Sequence, residues 1–281
     1  MDLKEFLHAA GVGFARLLGK GMPRTTAVKQ YGSAGEDSLV QALRRELPGC
    51  RVKQNVLVQT GEGKAEIDCM VLYGSKVFAV EVKRWKGELC EQNGQILQKK
   101  RDRWTFEVHK KLHRSPFKQL NRAVWLLRRQ IPVSAWVNGV VFFDGAKRVT
   151  AEPGHIYFED AAALAQYIRT EGRPSGAAAE AFFDRCVQAD VLASPRRRIS
   201  LQCLVCDDSL RFETDRGLLT RRDIAEIRIR HRWARDELYI TTVDGATARA
   251  EAENRTITVQ DNGRLYTYSL CKLEQIRLGM Q

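Results

Sequence analysis

Three ionisable side chains on two neighbouring strand-like runs are spaced to bind a metal ion and work beside it. Asp68 opens the apolar run Ile67 to Tyr73, Glu81 and Lys83 end the run that begins at Val77, and Gly74-Ser75 turns the chain between them. Side chains alternate across a strand, so Glu81 and Lys83 share one face while Val80 and Val82 take the other. A hairpin turning at Gly74-Ser75 sets Asp68 beside that pair. Carboxylate oxygens suit a hard cation, Mg²⁺ or Mn²⁺, and the carbonyl of Val82 offers a further oxygen. A metal held by Asp68, Glu81 and Val82 would polarise a phosphoryl oxygen and acidify a bound water. Lys83 would orient that water or offset charge growing on the phosphate. The bland alternative is an ordinary strand-end cluster in which Lys83 and nearby arginines neutralise two carboxylates. Such buried pairs are costly unless they are well hydrogen-bonded.

The arrangement of Asp68 with Glu81-x-Lys83 resembles the PD-(D/E)xK nuclease superfamily. Gly32-x-x-Gly35-Glu36 upstream, Arg84-Trp85-Lys86-Gly87 directly after the lysine, Ser115-Pro116-x-x-Gln119, and the apolar run Val137 to Phe143 follow in the order of its NERD, or nuclease-related, branch. The resemblance spans roughly residues 31–169; the proline that often precedes the first aspartate is replaced by Ile67. It implies a restriction-endonuclease-like α/β fold, a mixed central sheet flanked by helices, and a Mg²⁺-dependent deoxyribonuclease, expected to be an endonuclease. It also implies supporting roles for Glu36 and Gln119 near the metal or its water. Defence against foreign DNA and DNA repair are both settings consistent with that family. The alternative is a non-catalytic nucleic-acid-binding or scaffold protein that retains a nuclease fold.

Elements able to position these groups can be read along the chain. Asp2 to Lys20 carries an apolar stripe at helical spacing, expected to dock on the protein's own core or a partner chain rather than on a membrane surface. Ser33 to Leu47 reads as a helix with Glu36 in its first turn, where a carboxylate also complements the helix dipole. Glu66, on the same strand face as Asp68, is a reserve ligand. Pro116 starts a helix, Val137 to Phe143 suits a strand buried on both faces, and Asp160 caps a helix through Ile168. Ala177 to Leu192 is expected to be a connecting helix. The segment from Ile199 onward has strand runs and turn signals such as Asn262-Gly263. The expected organisation is therefore 1–30 amphipathic helix and linker, 31–170 nuclease unit, 171–198 helical linker and 199–281 small mainly-β accessory domain.

The net charge is +12, which favours an acidic partner: DNA, with RNA not excluded. The charge concentrates after the hairpin, in Arg84, Lys86, Lys99, Lys100, Arg101, Arg103, Lys110 and Lys111, with Trp85, Trp104 and Phe106 interleaved. The cations would track a phosphate backbone, and the aromatics either stack on unpaired bases or pack in the core. His109 and His113 have a spacing that binds metals on a helix, but their cationic setting argues against it. The seven cysteines form no spaced framework, which suits a reducing cytoplasm. Cys203-x-x-Cys206 lacks an evident second pair for zinc. No run of about 18 apolar residues predicts a membrane span. A homo-oligomer or a partner protein would use the N-terminal helix or the β segment.

Overall fold

The computed structural model describes residues 24–102, 104–131, 133–194, 199–231, 236–252, 255–261 and 264–279. The stripe at Asp2 to Lys20, Arg103 and the turn at Asn262-Gly263 lie outside them. The described chain is a mixed α/β structure with four α-helices. A central sheet runs β1 (Arg51–Thr60), β2 (Gly63–Tyr73), β3 (Lys76–Lys83), β7 (Val137–Phe143) and β9 (Tyr157–Phe158) in spatial order. The first three strands are antiparallel, and β3, β7 and β9 are parallel.

Both faces of this sheet are covered, which is why β3 and β7 read as unbroken apolar runs. On one side α2 (Pro116–Gln130) brings Phe117, Leu120, Ala123, Leu126 and Leu127, and α4 (Ala179–Arg185) brings Phe182 and Phe183, against Val77, Ala79 and Val141. On the other, α1 (Arg24–Glu46) brings Leu39, Val40 and Leu43, and α3 (Ala161–Thr170) brings Leu164 and Ile168, against Phe78, Val80 and Val140. Ser115 caps α2, accepting from the Lys118 N–H at 3.4 Å, and Asp160 caps α3, accepting from the Ala163 N–H at 2.8 Å.

Two expectations change. Helix α1 starts at Arg24 rather than at Ser33, so Glu36 lies in mid-helix and the helix dipole does not account for it. The helix expected over Ala177 to Leu192 is confined to Ala179–Arg185, and Asp190–Ser194 is strand β10.

A second sheet of four strands, in the order β6 (Val108–Arg114), β5 (Gln95–Arg101), β4 (Gly87–Gln92) and β8 (Ala146–Thr150), is built from the basic stretch. Gly87 begins it at φ +97, where a Cβ would stand 2.3 Å from the Lys99 carbonyl oxygen. Glycine is therefore required for the crossing from β3 into this sheet. His109 and His113 sit on strand β6, not on a helix, so their four-residue separation spans about 13 Å and brings no metal pair together.

Strand β10 belongs to an antiparallel eight-stranded sheet that extends to β19 (Gln275–Arg277), with its own core around Ile227, Ile240 and Ile257. Buried Asp190 ties it together. Its carboxylate takes two hydrogen bonds from Arg221 at 2.9 and 3.1 Å, and accepts the N–H groups of Val205 at 2.7 Å and Gly279 at 2.8 Å.

Candidate active site

The β2–β3 ladder pairs Tyr73 with Lys76 and continues to Cys69 opposite Val80, where it stops. One step beyond, the side chain of Asp68 replaces the backbone: its Oδ2 accepts the Val82 N–H at 2.7 Å. The strands therefore separate at Asp68, leaving a gap lined by polar groups at the end of an apolar sheet. The N–H and C=O of one strand residue point toward the same neighbour. The Val82 carbonyl thus faces the edge on which Asp68 sits.

Glu81 is wholly buried. Its Oε1 accepts from the Lys83 ammonium, while its Oε2 has no hydrogen-bond partner among the described residues. Lys83 Nζ also lies 3.8 Å from Asp68 Oδ2. A buried carboxylate oxygen left without a donor is expensive, because burial strips its water and returns nothing. The donor set here, two carboxylates and one strand carbonyl, is the type that hard divalent cations prefer. The orphaned oxygen of Glu81 is where such a cation would supply the missing interaction.

Protonation states carry the same tension. Glu81 is pushed up to about 7, first by burial and then by repulsion from Asp68, against the pull of Lys83. Glu36, reaching in from α1, is pushed up to about 8 by burial and then by Asp68, Glu66 and Asp37, with Lys83 opposing. Burial also raises Asp68, against Lys83 and the Val82 N–H. For Lys83, burial alone would lower the value, but Glu81 and Asp68 outweigh it and it rises. Four carboxylates around one ammonium form a negative pocket short of positive charge. Such crowding of acidic groups is compatible with a cation site.

The structure thus brings Asp68, Glu81, Lys83, Val82, Glu36 and Glu66 together. Gln119 is not joined to them: it is exposed on α2, and its side chain makes no hydrogen bond among the described residues. Arg84 is engaged with Asp144, Nε to Oδ2 at 3.1 Å, next to Gly35 of α1, where a Cβ would come within 3.3 Å of that oxygen. Lys86, Lys100, Arg101, Lys110 and Lys111 are exposed and Lys99 is half-buried, all but Lys86 on β5 and β6.

Some contacts have no signature in local sequence. Glu66 accepts a hydrogen bond from Gln202 of β11 (Ile199–Val205), and Lys64 donates to the Gln202 carbonyl and to Asp261 Oδ1, both at 2.6 Å. The eight-stranded sheet therefore grips β2 two residues before Asp68. A separate group, Glu91, Glu152 and His155, places its potential ligand atoms within 4.8 Å of one another and is compatible in type with a divalent cation. Unlike Glu81, however, Glu91 has both oxygens occupied, by Ser115 Oγ at 3.2 Å and by His155 Nδ1 at 2.7 Å together with the Glu152 N–H at 3.1 Å. Cys203 is buried and its thiol is pushed up to about 12, first by burial. Among the described residues no helix is long and apolar enough to cross a membrane.

Comparison with curated proteins and comparison with solved structures each found no match. A family model matches residues 31–144, stopping short of the resemblance expected to residue 169, and the rest of the chain matches none. That model is NERD, the nuclease-related domain, and the segment it matches is the one that assembles Asp68, Glu81 and Lys83.

Proposed function

We propose that the protein is a metal-dependent nuclease that hydrolyses phosphodiester bonds in DNA as an endonuclease. The observation that carries this reading is the partnerless oxygen of buried Glu81 beside Asp68 and Lys83. In it, Asp68, Glu81 and the Val82 carbonyl would hold Mg²⁺ or Mn²⁺. When bound, the ion supplies Lewis-acid polarisation of the phosphoryl oxygen.

The chain's own groups account for the rest. Hydrolysis forms a phosphorus–oxygen bond to water, breaks one to a sugar oxygen, takes a proton from the water and delivers one to the leaving oxygen. Lys83 stays an ammonium because Glu81 and Asp68 raise it, so it can meet negative charge on the phosphate. Glu36, poised near neutrality, suits proton transfer at its carboxyl oxygens. Gln119 would require substrate or a rotamer change to contribute. The nuclease unit is taken as residues 31–170, closed by α4 of the 171–198 connection, with 199–281 as accessory sheet.

The test incubates the purified protein with supercoiled plasmid, linear duplex and single-stranded DNA, in Mg²⁺, Mn²⁺ or EDTA, beside Asp68→Ala and Lys83→Ala. Metal-dependent cutting lost in both variants is the expected result. Cutting that survives both substitutions removes this site from consideration. DNA that is bound tightly yet left intact would favour the non-catalytic reading.

A further inference from the structure

The ribbon formed by β5 and β6 has features that the catalytic reading does not use. Its seven paired positions, from Gln95 with Arg114 to Arg101 with Val108, carry it about 23 Å. Its root is fixed. Trp85, two residues after Lys83, stacks on His113 with ring centroids 4.1 Å apart, Gln98 donates to the Lys86 carbonyl at 2.7 Å, and Ile96 is buried. The ribbon therefore rises from the end of β3 that carries the active-site lysine.

Its tip is built and aromatic. Trp104 is 86% exposed and Phe106 65% exposed. Each discards the burial that usually places an aromatic ring in a core. Asp102 Oδ1 accepts the N–H groups of Trp104 and Thr105 at 2.7 and 2.9 Å, and its own N–H donates to the Glu107 carbonyl at 2.8 Å. Phe106 sits at φ +58, a region that bulky side chains rarely adopt. Strain of this kind persists where a segment is held for use. Residues 95–114 contain seven lysines and arginines against two acids, and Asp102 is spent on its own turn. Lys99, Lys100, Lys110 and Lys111 form no ion pair among the described residues.

We propose that this ribbon is an arm for unpaired DNA: Trp104 and Phe106 stack on exposed bases while Lys99, Lys100, Lys110 and Lys111 hold the flanking phosphates. The inference rests on the nuclease reading and names its substrate class as single-stranded or locally melted DNA. Charge selects a polyanion and disfavours a second copy, whose arm carries the same sign. A ribbon can also lie in the major groove of intact duplex, but there the bases are stacked on one another and offer the tip no ring face. Unpaired bases do, and each such stack contributes about 1–3 kcal/mol.

The test measures binding of the full chain in EDTA, so that cutting cannot interfere, by anisotropy of a labelled single strand and of its duplex. The double variant Trp104→Ala, Phe106→Ala should bind the single strand at least about 30-fold more weakly and the duplex almost unchanged. Trp104→Phe should retain most of the affinity, and Lys110→Ala with Lys111→Ala should weaken both forms and flatten the salt dependence. Quenching of 2-aminopurine in the strand should disappear with Trp104→Ala, while circular dichroism shows the variants folded. A double variant that binds the single strand like the parent overturns the arm and leaves the nuclease reading standing. A parent protein that binds neither form overturns both.

Discussion

Asp68 Oδ2 accepts the backbone N–H of Val82 at 2.7 Å, one step past the last backbone pair of the β2–β3 ladder. The carboxylate therefore has two separable duties, one as a hydrogen-bond acceptor that closes the strand end and one as a negative charge. Asp68→Asn keeps an acceptor and removes the charge, whereas Asp68→Ala removes both. Both should lose metal-dependent cutting by at least about 100-fold. Only the alanine should lose a further 1–3 kcal/mol or so of stability, from the unpaired Val82 N–H. Plasmid cleavage and urea denaturation measure the two effects. An asparagine variant that still cuts would show that the charge is not needed.

Glu36 and Glu81 make the metal-free protein sensitive to pH in an unusual direction. Their native values, about 8 and about 7, stand above the ordinary 4.5. The folded state therefore holds protons that the unfolded chain releases. The stability this gives is fully present below about pH 4.5 and is lost as pH rises through 7 to 8. A divalent cation needs the same carboxylates ionised and so competes with those protons. The rise in melting temperature on adding millimolar Mg²⁺ should be larger near pH 8.5 than near pH 6. Scanning calorimetry in EDTA and in Mg²⁺ would read it, and equal increments at both pH values would count against a site made of these groups.

Asp190 and Arg221 make a structural prediction outside the site. Both are buried, and the carboxylate joins β10, β11 and the chain after β19 through four hydrogen bonds. Asp190→Ala would remove the buried partner of the Arg221 guanidinium and leave it the exposed Asp207, 3.3 Å from its Nε, and should cost about 3–5 kcal/mol. Chemical denaturation followed by tryptophan fluorescence would measure it. A loss under 1 kcal/mol or so would mean that water reaches Arg221 without disturbing the sheet.

How much of this was legible beforehand depends on the range of the forces involved. The hairpin of β2 and β3, the strand Val137–Phe143, and the caps Ser115 and Asp160 follow from alternation, apolar runs and local hydrogen bonding, all within a few residues. The grouping of Asp68, Glu81 and Lys83 was legible because a tight turn at Gly74-Ser75 fixes their register. Gly32 and Gly35 look like a helix boundary in the sequence, although α1 runs through them. The basic stretch carried strong charge but weak alternation, so its strands were hidden and His109 and His113 invited a helical spacing. The Gln202 contact with Glu66 joins residues far apart in the chain, and no local pattern announces it. Trp104 and Phe106 were ambiguous between core and surface because composition cannot say which way a tip points.

The helices that close the central sheet carry one more implication. The segment matching the nuclease-related domain ends at Asp144, yet Leu164 and Ile168 of α3 and Phe182 and Phe183 of α4 are among the most buried side chains on the two sheet faces. A fragment cut at the end of the match would keep α1 and α2 but lose α3 and α4, uncovering part of the apolar sheet on both faces, with β9 missing from its edge. What is recognisable in this protein and what can stand alone in solution therefore end at different residues, some forty positions apart, and a minimal autonomous unit must run at least through Cys186.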